Sequence, residues 1–68
     1  MTKELQPHQQ RVFNESVELQ DKIEKLQVVI DVSPIYQGLD PSDAILLSAQ
    51  LAAMTAYNRI LQARIQKF

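Results

Sequence analysis

Three basic side chains and no acidic one lie in the last seventeen residues of this chain, whose net charge is −1. They are Arg59, Arg64 and Lys67. Cations near the C-terminus of a helix are stabilised by its dipole, which accounts for Arg64 and Lys67. Arg59 lies more than one turn from the end and is less well explained in this way. Converging arginines and lysines also bind phosphate through charge-assisted hydrogen bonds, so an anion site is the second interpretation.

An antiparallel partner helix would bring a second polar group, from His8 to Arg11, to the same end. Residues 1–14 and 58–68 together carry a net charge of +4, whereas residues 15–57 carry −5. A symmetric oligomer would multiply the positive patch around an axis. The sequence therefore predicts a pocket, shared between copies of the chain, for a compact anion such as a phosphate diester.

No set of side chains matches a catalytic or metal-binding pattern. The chain has no Cys and a single His, and no serine has that His at a helical spacing. The carboxylates of the first half face several directions or pair with lysines, and there is no Gly-rich phosphate loop. We expect a binding protein and not an enzyme, with no cofactor and no metal. There is no membrane-spanning apolar run, and we expect a cytoplasmic protein.

Two helical periodicities position these residues, with core positions at alternating spacings of three and four. Ser33-Pro34 ends the first helix, and Asp40 with Pro41 begins the second. We predict an all-α fold with one domain over residues 1–68: helix one over about 7–32, a loop over 33–40 whose apolar residues fold over the tip, and helix two over about 41–67. The short connection makes the helices antiparallel neighbours. The predicted seam positions are Val12, Ser16, Leu19, Ile23, Leu26 and Ile30 on helix one, and Leu47, Leu51, Met54, Asn58, Leu61, Ile65 and Phe68 on helix two.

Further apolar side chains lie beside the two seams, and two helices cannot bury them all. A wide core stripe is one interpretation. A subunit interface is the favoured one, because 68 residues bury little surface alone. The flanking residues are Phe13 and Val17 on helix one, and Ala49, Ala52, Ala53, Ala56 and Ile60 on helix two.

Asn58 interrupts the second seam, and Ser16 interrupts the first in the same half. A buried Asn fixes helix register or lines a polar cavity, so we predict a local polar layer here. Tyr57 lies beside it. A lone tyrosine more often packs in a core than stacks on a nucleobase, and both roles stay open.

The segments "HQQRVFNESVELQDKIEKL" and "QLAAMTAYNRILQARI" together resemble small helical-hairpin proteins of tailed phages, in the anti-CBASS/anti-Thoeris sponge group. The resemblance covers most of the chain except the first few residues and the loop. It implies a non-enzymatic decoy that assembles into compact oligomers, often hexamers. Such proteins hold cyclic di- or trinucleotide immune signals in pockets between subunits. The matching elements are Gln10-Arg11-Val12, Glu15, Leu19, Ile23, Lys25-Leu26, Leu51, Met54, Tyr57, Leu61 and Arg64-Ile65.

In that group an aromatic residue stacks on a base, and lysines and arginines hold phosphates. This chain has Phe13 where a tyrosine is expected, so Phe13 either stacks or packs between subunits. The candidate ligand-binding residues are Arg11, Phe13, Lys25, Tyr57, Asn58 and Arg64. An alternative is a small oligomeric module that blocks a host protein through its alanine row. A duplex DNA binder is disfavoured, because the body of the hairpin is acidic.

Overall fold

A computed structural model describes residues 4–68 of the chain. Its order of elements is α1 (Pro7–Val32), α2 (Pro34–Gln37) and α3 (Pro41–Gln66). The two long helices pack against each other over a body of 52 × 16 × 15 Å. No strand occurs in residues 4–68. The predicted all-α hairpin is therefore confirmed.

Local chemistry fixes where each long helix begins. Proline occupies the first position of both, where its missing N–H costs no hydrogen bond. At α1, the Gln6 backbone N–H donates to Gln9 Oε1 at 2.8 Å. At α3, Asp40 caps the helix by accepting from the Ser42 backbone N–H at 3.2 Å and from the Ser42 hydroxyl. The Asp40 cap predicted from the sequence is confirmed, whereas the glutamine pair at α1 was not foreseen.

The connection differs from the predicted loop, because Pro34–Gln37 forms one turn of helix. The Ser33 hydroxyl caps this turn by accepting from the Ile35 backbone N–H at 3.2 Å. The expectation that Ile35 folds over the tip is wrong, since the side chain is 75% exposed. Tyr36 does turn toward α3, where its hydroxyl lies 3.1 Å from the Ser48 hydroxyl. The helical turn of α2 places residues 35 and 36 about 100° apart, so only one of them can face the hairpin.

The seam between α1 and α3 follows the predicted positions. Every one of them is buried or partly buried. Full burial is confined to the half of the hairpin that contains the chain ends, where the least exposed residues are Val12, Ser16, Asn58 and Leu61. The remaining seam positions toward the tip are partly exposed. The core thus lies far from the turn that joins the helices.

Candidate ligand-binding site

A polar layer crosses the seam beside the core. Asn58 is 3% exposed and uses both ends of its amide: Oδ1 accepts from the Ser16 hydroxyl at 2.7 Å, and Nδ2 donates to Gln20 Oε1 at 2.8 Å. These bonds repay the desolvation of a buried amide. Among the described residues, no buried side-chain polar atom lacks a partner. The predicted layer of Ser16 and Asn58 is confirmed. A ligand role for Asn58 stays a prediction.

Tyr57 lies on one side of this layer and joins the two helices. Its hydroxyl donates to Glu15 Oε2 at 2.5 Å, and its side chain is 46% exposed. On α1, Arg11 lies one turn before Glu15 on nearly the same face. On α3, Arg64 lies two turns beyond Tyr57, also on its face. Because the helices are antiparallel, both arginines lie toward the end of the hairpin that holds the chain ends. We call Arg11, Glu15, Tyr57 and Arg64 the tyrosine face.

The electrostatics of the tyrosine face connect these groups. The hydrogen bond to Glu15 raises the pKa of the Tyr57 phenol above its ordinary 10.0, assisted by desolvation and by the negative charge of Glu15. The positive charge of Arg64, two turns along the same helix, acts in the opposite direction and lowers the pKa of the phenol. Both arginines are exposed, and neither forms an ion pair with a carboxylate in residues 4–68. The face therefore carries two cations available to an anionic ligand.

Two grooves occupy the other side of the hairpin and meet at Gln62. Tyr57 and Gln62 point about 140° apart around α3, with Asn58 and Leu61 between them. One groove has a volume of about 170 Å³ and the other about 350 Å³. Pockets that enclose small molecules measure about 300–1,000 Å³. Both grooves are open, so a single hairpin encloses no nucleotide-sized ligand here. The smaller is lined by Gln20, Ile23, Thr55, Asn58, Arg59 and Gln62, and the larger by Phe13, Ser16, Val17, Gln62, Ile65 and Gln66.

The predicted site residues do not form one cluster within a single chain. Arg11, Tyr57 and Arg64 share the tyrosine face. Phe13, 43% exposed, lines the larger groove on the other side. Lys25 lies about 21 Å along α1 from Arg11, at 1.5 Å per residue. A pocket containing all of them must therefore combine different copies of the chain.

Lys25 is held by a neighbour on its own helix. Its Nζ lies 2.8 Å from Asp21 Oδ2, and both side chains are largely exposed. The hydrogen bond to Asp21 and its negative charge raise the pKa of Lys25 above 10.5. Lysine is charged at neutral pH whether or not its pKa is raised. Because Asp21 pairs with this charge, Lys25 is available to bind an anion only after Asp21 is displaced.

Gln20, Thr55 and Gln62 were not predicted as site residues, although they line the smaller groove. Arg59, which was predicted as part of the basic cluster near the C-terminus, lines this groove with them. A signal was present in the spacing. Gln20 follows Ser16 by four, and Gln62 follows Asn58 by four, so each continues the polar layer along its own helix. Glu15 was included in the resemblance but not as a candidate. Its contact with Tyr57 depends on the register between the helices, which one sequence does not specify.

Two further features are absent from residues 4–68. No group of three or more His, Cys, Asp and Glu side chains could hold a metal ion there. None of the described helices combines the length and apolar character that crossing a membrane requires. The polar groups that the described residues present on the two sides of the hairpin are arginines, a tyrosine and amides.

The two long paired helices define this chain as a small all-α helical-hairpin protein with cationic and amide-lined surfaces. A family model described as Sequestin matches residues 6–67. The chain belongs to the Sequestin family. The name denotes sequestration, which agrees with the resemblance to sequestering proteins, and it specifies no ligand. No curated protein and no solved structure matches the chain.

Proposed function

We propose that this protein is a non-enzymatic sponge that binds cyclic di- or trinucleotide immune signals in pockets between copies of the chain, as in phage evasion of host defence. Membership of the Sequestin family supports the sequestering part. The resemblance to phage sponge proteins supports the ligand class. Binding alone is sufficient for this function, because a captured signal no longer reaches its effector.

The observation that carries the proposal is the tyrosine face. A cyclic oligonucleotide presents flat bases and a ring of phosphates. Tyr57 offers a half-exposed aromatic ring, and Arg11 and Arg64 offer guanidinium groups on the same side of the hairpin. Aromatic rings stack on bases, and arginines bind phosphates with charge-assisted hydrogen bonds. The two chemistries that the ligand needs therefore occur together.

Shared pockets require self-association, and α3 supports it. Besides its seam, α3 carries a second apolar face, composed of Ile45, Ala49, Ala52, Ala56 and Ile60, all exposed in the single chain. A helix that is apolar on two faces is typical of a helix covered on both. Among residues 4–68, the fully buried apolar side chains of the single chain are Val12 and Leu61.

A second copy of the chain is the partner that can cover the outer apolar face of α3, because it is present in every solution of the protein. Small residues on the outer face of α3 allow two helices to approach closely. Chains of this size commonly obtain their missing core by oligomerisation. The resemblance favours a hexamer. Native mass spectrometry measures the number of copies directly.

Calorimetric titration with a panel of cyclic di- and trinucleotides tests the ligand. We expect stoichiometric binding, and we expect the ligand to be recovered chemically intact by mass spectrometry after the protein is denatured. Recovery of hydrolysed nucleotide would contradict the non-enzymatic part of the proposal. Absence of a calorimetric signal and of any thermal shift across the panel would refute the ligand class.

A matched pair of charge reversals locates the pocket. Arg64→Glu on the tyrosine face should abolish binding while the oligomer, followed by native mass spectrometry, stays intact. Arg59→Glu, on the groove side of the same helix, is the control and should retain binding. The reverse pattern would move the pocket to the groove that Arg59 lines.

The exposed outer face of α3 also favours a second candidate, in which the oligomer blocks a host protein. Pull-down from host lysate separates the two. A stoichiometric protein partner captured by nucleotide-free protein supports blocking, particularly if Ala52→Arg abolishes capture without dissociating the oligomer. Bound nucleotide and no stoichiometric protein support the sponge.

A further inference from the structure

The Glu15 carboxylate occupies the place on the tyrosine face where an anionic ligand would be expected. The carboxylate accepts the hydroxyl hydrogen of Tyr57. By helical spacing, Arg11 lies about one turn from Glu15 and Arg64 about two turns from Tyr57, both toward the chain ends. Yet the carboxylate forms no ion pair with either arginine, although a carboxylate and a guanidinium are strong partners when in contact. The Tyr57 phenol is thus the group that binds the Glu15 carboxylate. Arg11 and Arg64 form no ion pair within the described residues.

The charge balance shows what this carboxylate does to the surface. Arg11, Glu15 and Arg64 sum to +1 on the tyrosine face. Without the charge of Glu15 the sum is +2. A phosphate oxygen accepts from a phenol in the same way as a carboxylate oxygen does. A phosphate that displaces Glu15 from Tyr57 and lies toward the chain ends would therefore take over the Tyr57 hydrogen bond and approach the two arginines, which lie about one and two helical turns away.

We propose that Glu15 is a built-in competitor for the ligand's phosphate: it holds the Tyr57 hydroxyl in the free protein and is displaced when a phosphate binds between Arg11 and Arg64. This proposal rests on the proposed function and adds a residue that sets its affinity. Glu15 is exposed, so its side chain can rotate into solvent when it is displaced. Every ligand must overcome this contact, which lowers affinity for weakly charged anions and favours those with more than one phosphate.

A purely structural role for Glu15, as a link between α1 and α3, makes a different prediction. In that case Glu15→Gln keeps an acceptor oxygen for Tyr57, and anion binding does not change. In the proposed role, the same substitution removes the competing charge. Replacing one repulsive unit charge a few Å from a bound anion is expected to change affinity by about tenfold near a protein surface.

The test titrates inorganic diphosphate into the intact protein and follows the Tyr57 ring signals by NMR. Glu15→Gln should bind diphosphate about tenfold more tightly than the natural chain. Glu18→Gln removes the same charge one turn along α1 and should change affinity less than twofold. Unchanged or weaker binding by Glu15→Gln, or no binding by either protein, overturns the proposal. Circular dichroism checks that the variant is folded, and Glu15→Ala replaces it if it is not.

Repeating the titration with a cyclic dinucleotide separates this proposal from the proposed function. If diphosphate binding responds to Glu15→Gln but no cyclic nucleotide binds, the ligand assignment fails and the competitor role stands. If the cyclic dinucleotide binds the natural chain and Glu15→Gln equally well, the competitor role fails and the sponge function stands.

Discussion

The two halves of the hairpin differ in a way that their similar periodicity does not suggest. The half that contains the chain ends buries Val12 and Leu61 and closes a hydrogen-bonded layer around Asn58. The tip half, nearer α2, has no fully buried residue in the part of the chain that the structure describes. Its surface includes large exposed apolar side chains: Val28, Val32, Ile35, Ile45 and Leu46.

This difference shows that the covalent connection and the packing core hold the helices at opposite ends. Near α2, the short connection keeps the helices together without much buried surface. Near the chain ends, the connection does not join the helices, so apolar burial and the polar layer must hold them together. The candidate ligand-binding residues Arg11, Tyr57 and Arg64 lie in the well-packed half.

The largest expected effect compares equivalent leucines in the two halves. Leu61→Ala removes a side chain that is 1% exposed and should cost about 2–5 kcal/mol in free energy of unfolding. Leu47→Ala, at a partly exposed seam position, should cost about 1 kcal/mol. Urea unfolding followed by circular dichroism measures both. Equal losses would mean that Leu47 is fully covered in solution, and hence that another copy packs over the tip half.

The polar layer gives the next effect. Asn58→Ala leaves the Ser16 hydroxyl and the Gln20 amide without their partner and should destabilise the protein by about 1–3 kcal/mol. Ser16→Ala combined with Asn58→Ala in a double-mutant cycle should give a coupling energy of about 1 kcal/mol. Additive losses would show that the two side chains do not interact in solution. Gln50→Ala, an exposed amide on α3, is the control and should be near neutral.

A pH titration tests the contact of Tyr57 with Glu15. In a Tyr36→Phe background, Tyr57 is the remaining phenol of the chain. Its pKa is raised in the folded protein, so the stability from this contact is present below pH 10 and is lost as the pH rises through the folded pKa. Ultraviolet absorbance of the phenolate should show a midpoint above 10.0. Adding Glu15→Gln should lower that midpoint, and an unchanged midpoint would contradict the contact.

The smallest effect belongs to the ion pair between Lys25 and Asp21, which lies on the outside of α1. Both side chains are exposed to water, and such pairs often contribute nothing measurable. Asp21→Asn should leave the melting temperature unchanged within error, as should the control Glu24→Gln. A clear loss with Asp21→Asn alone would place this surface in an interface.

The hairpin could be predicted from the sequence because its evidence is local. Spacings of three and four identify the seams, and Asp40-Pro41 identifies the start of α3. The contrast between the two halves could not be predicted. Leu26 and Leu61 are the same residue at equivalent seam positions, yet Leu61 is almost fully buried and Leu26 only partly. The difference in burial depends on how side chains from the other helix fill the space around each leucine. The spacing of apolar residues in the sequence carries no information about this packing.

The candidate site was only partly predictable for a related reason. Arg11, Tyr57 and Arg64 were selected for their chemistry, and their common face follows once the hairpin is known. Phe13 lies on the other side because a shift of two residues along α1 turns a side chain by about 200°. The contact between Glu15 and Tyr57 requires the register of α1 against α3, the same register that brings the Ser16 hydroxyl to Asn58 Oδ1.

The antiparallel course of α1 and α3 has a practical consequence for engineering this chain. A purification tag or fluorescent fusion after Phe68 would lie at the end of the hairpin that holds Arg11 and Arg64, where its charges would disturb anion binding. An insertion between Gln37 and Leu39 would lie at the opposite end of a body 52 Å long. That position is the better choice for a label that reports on binding without taking part in it.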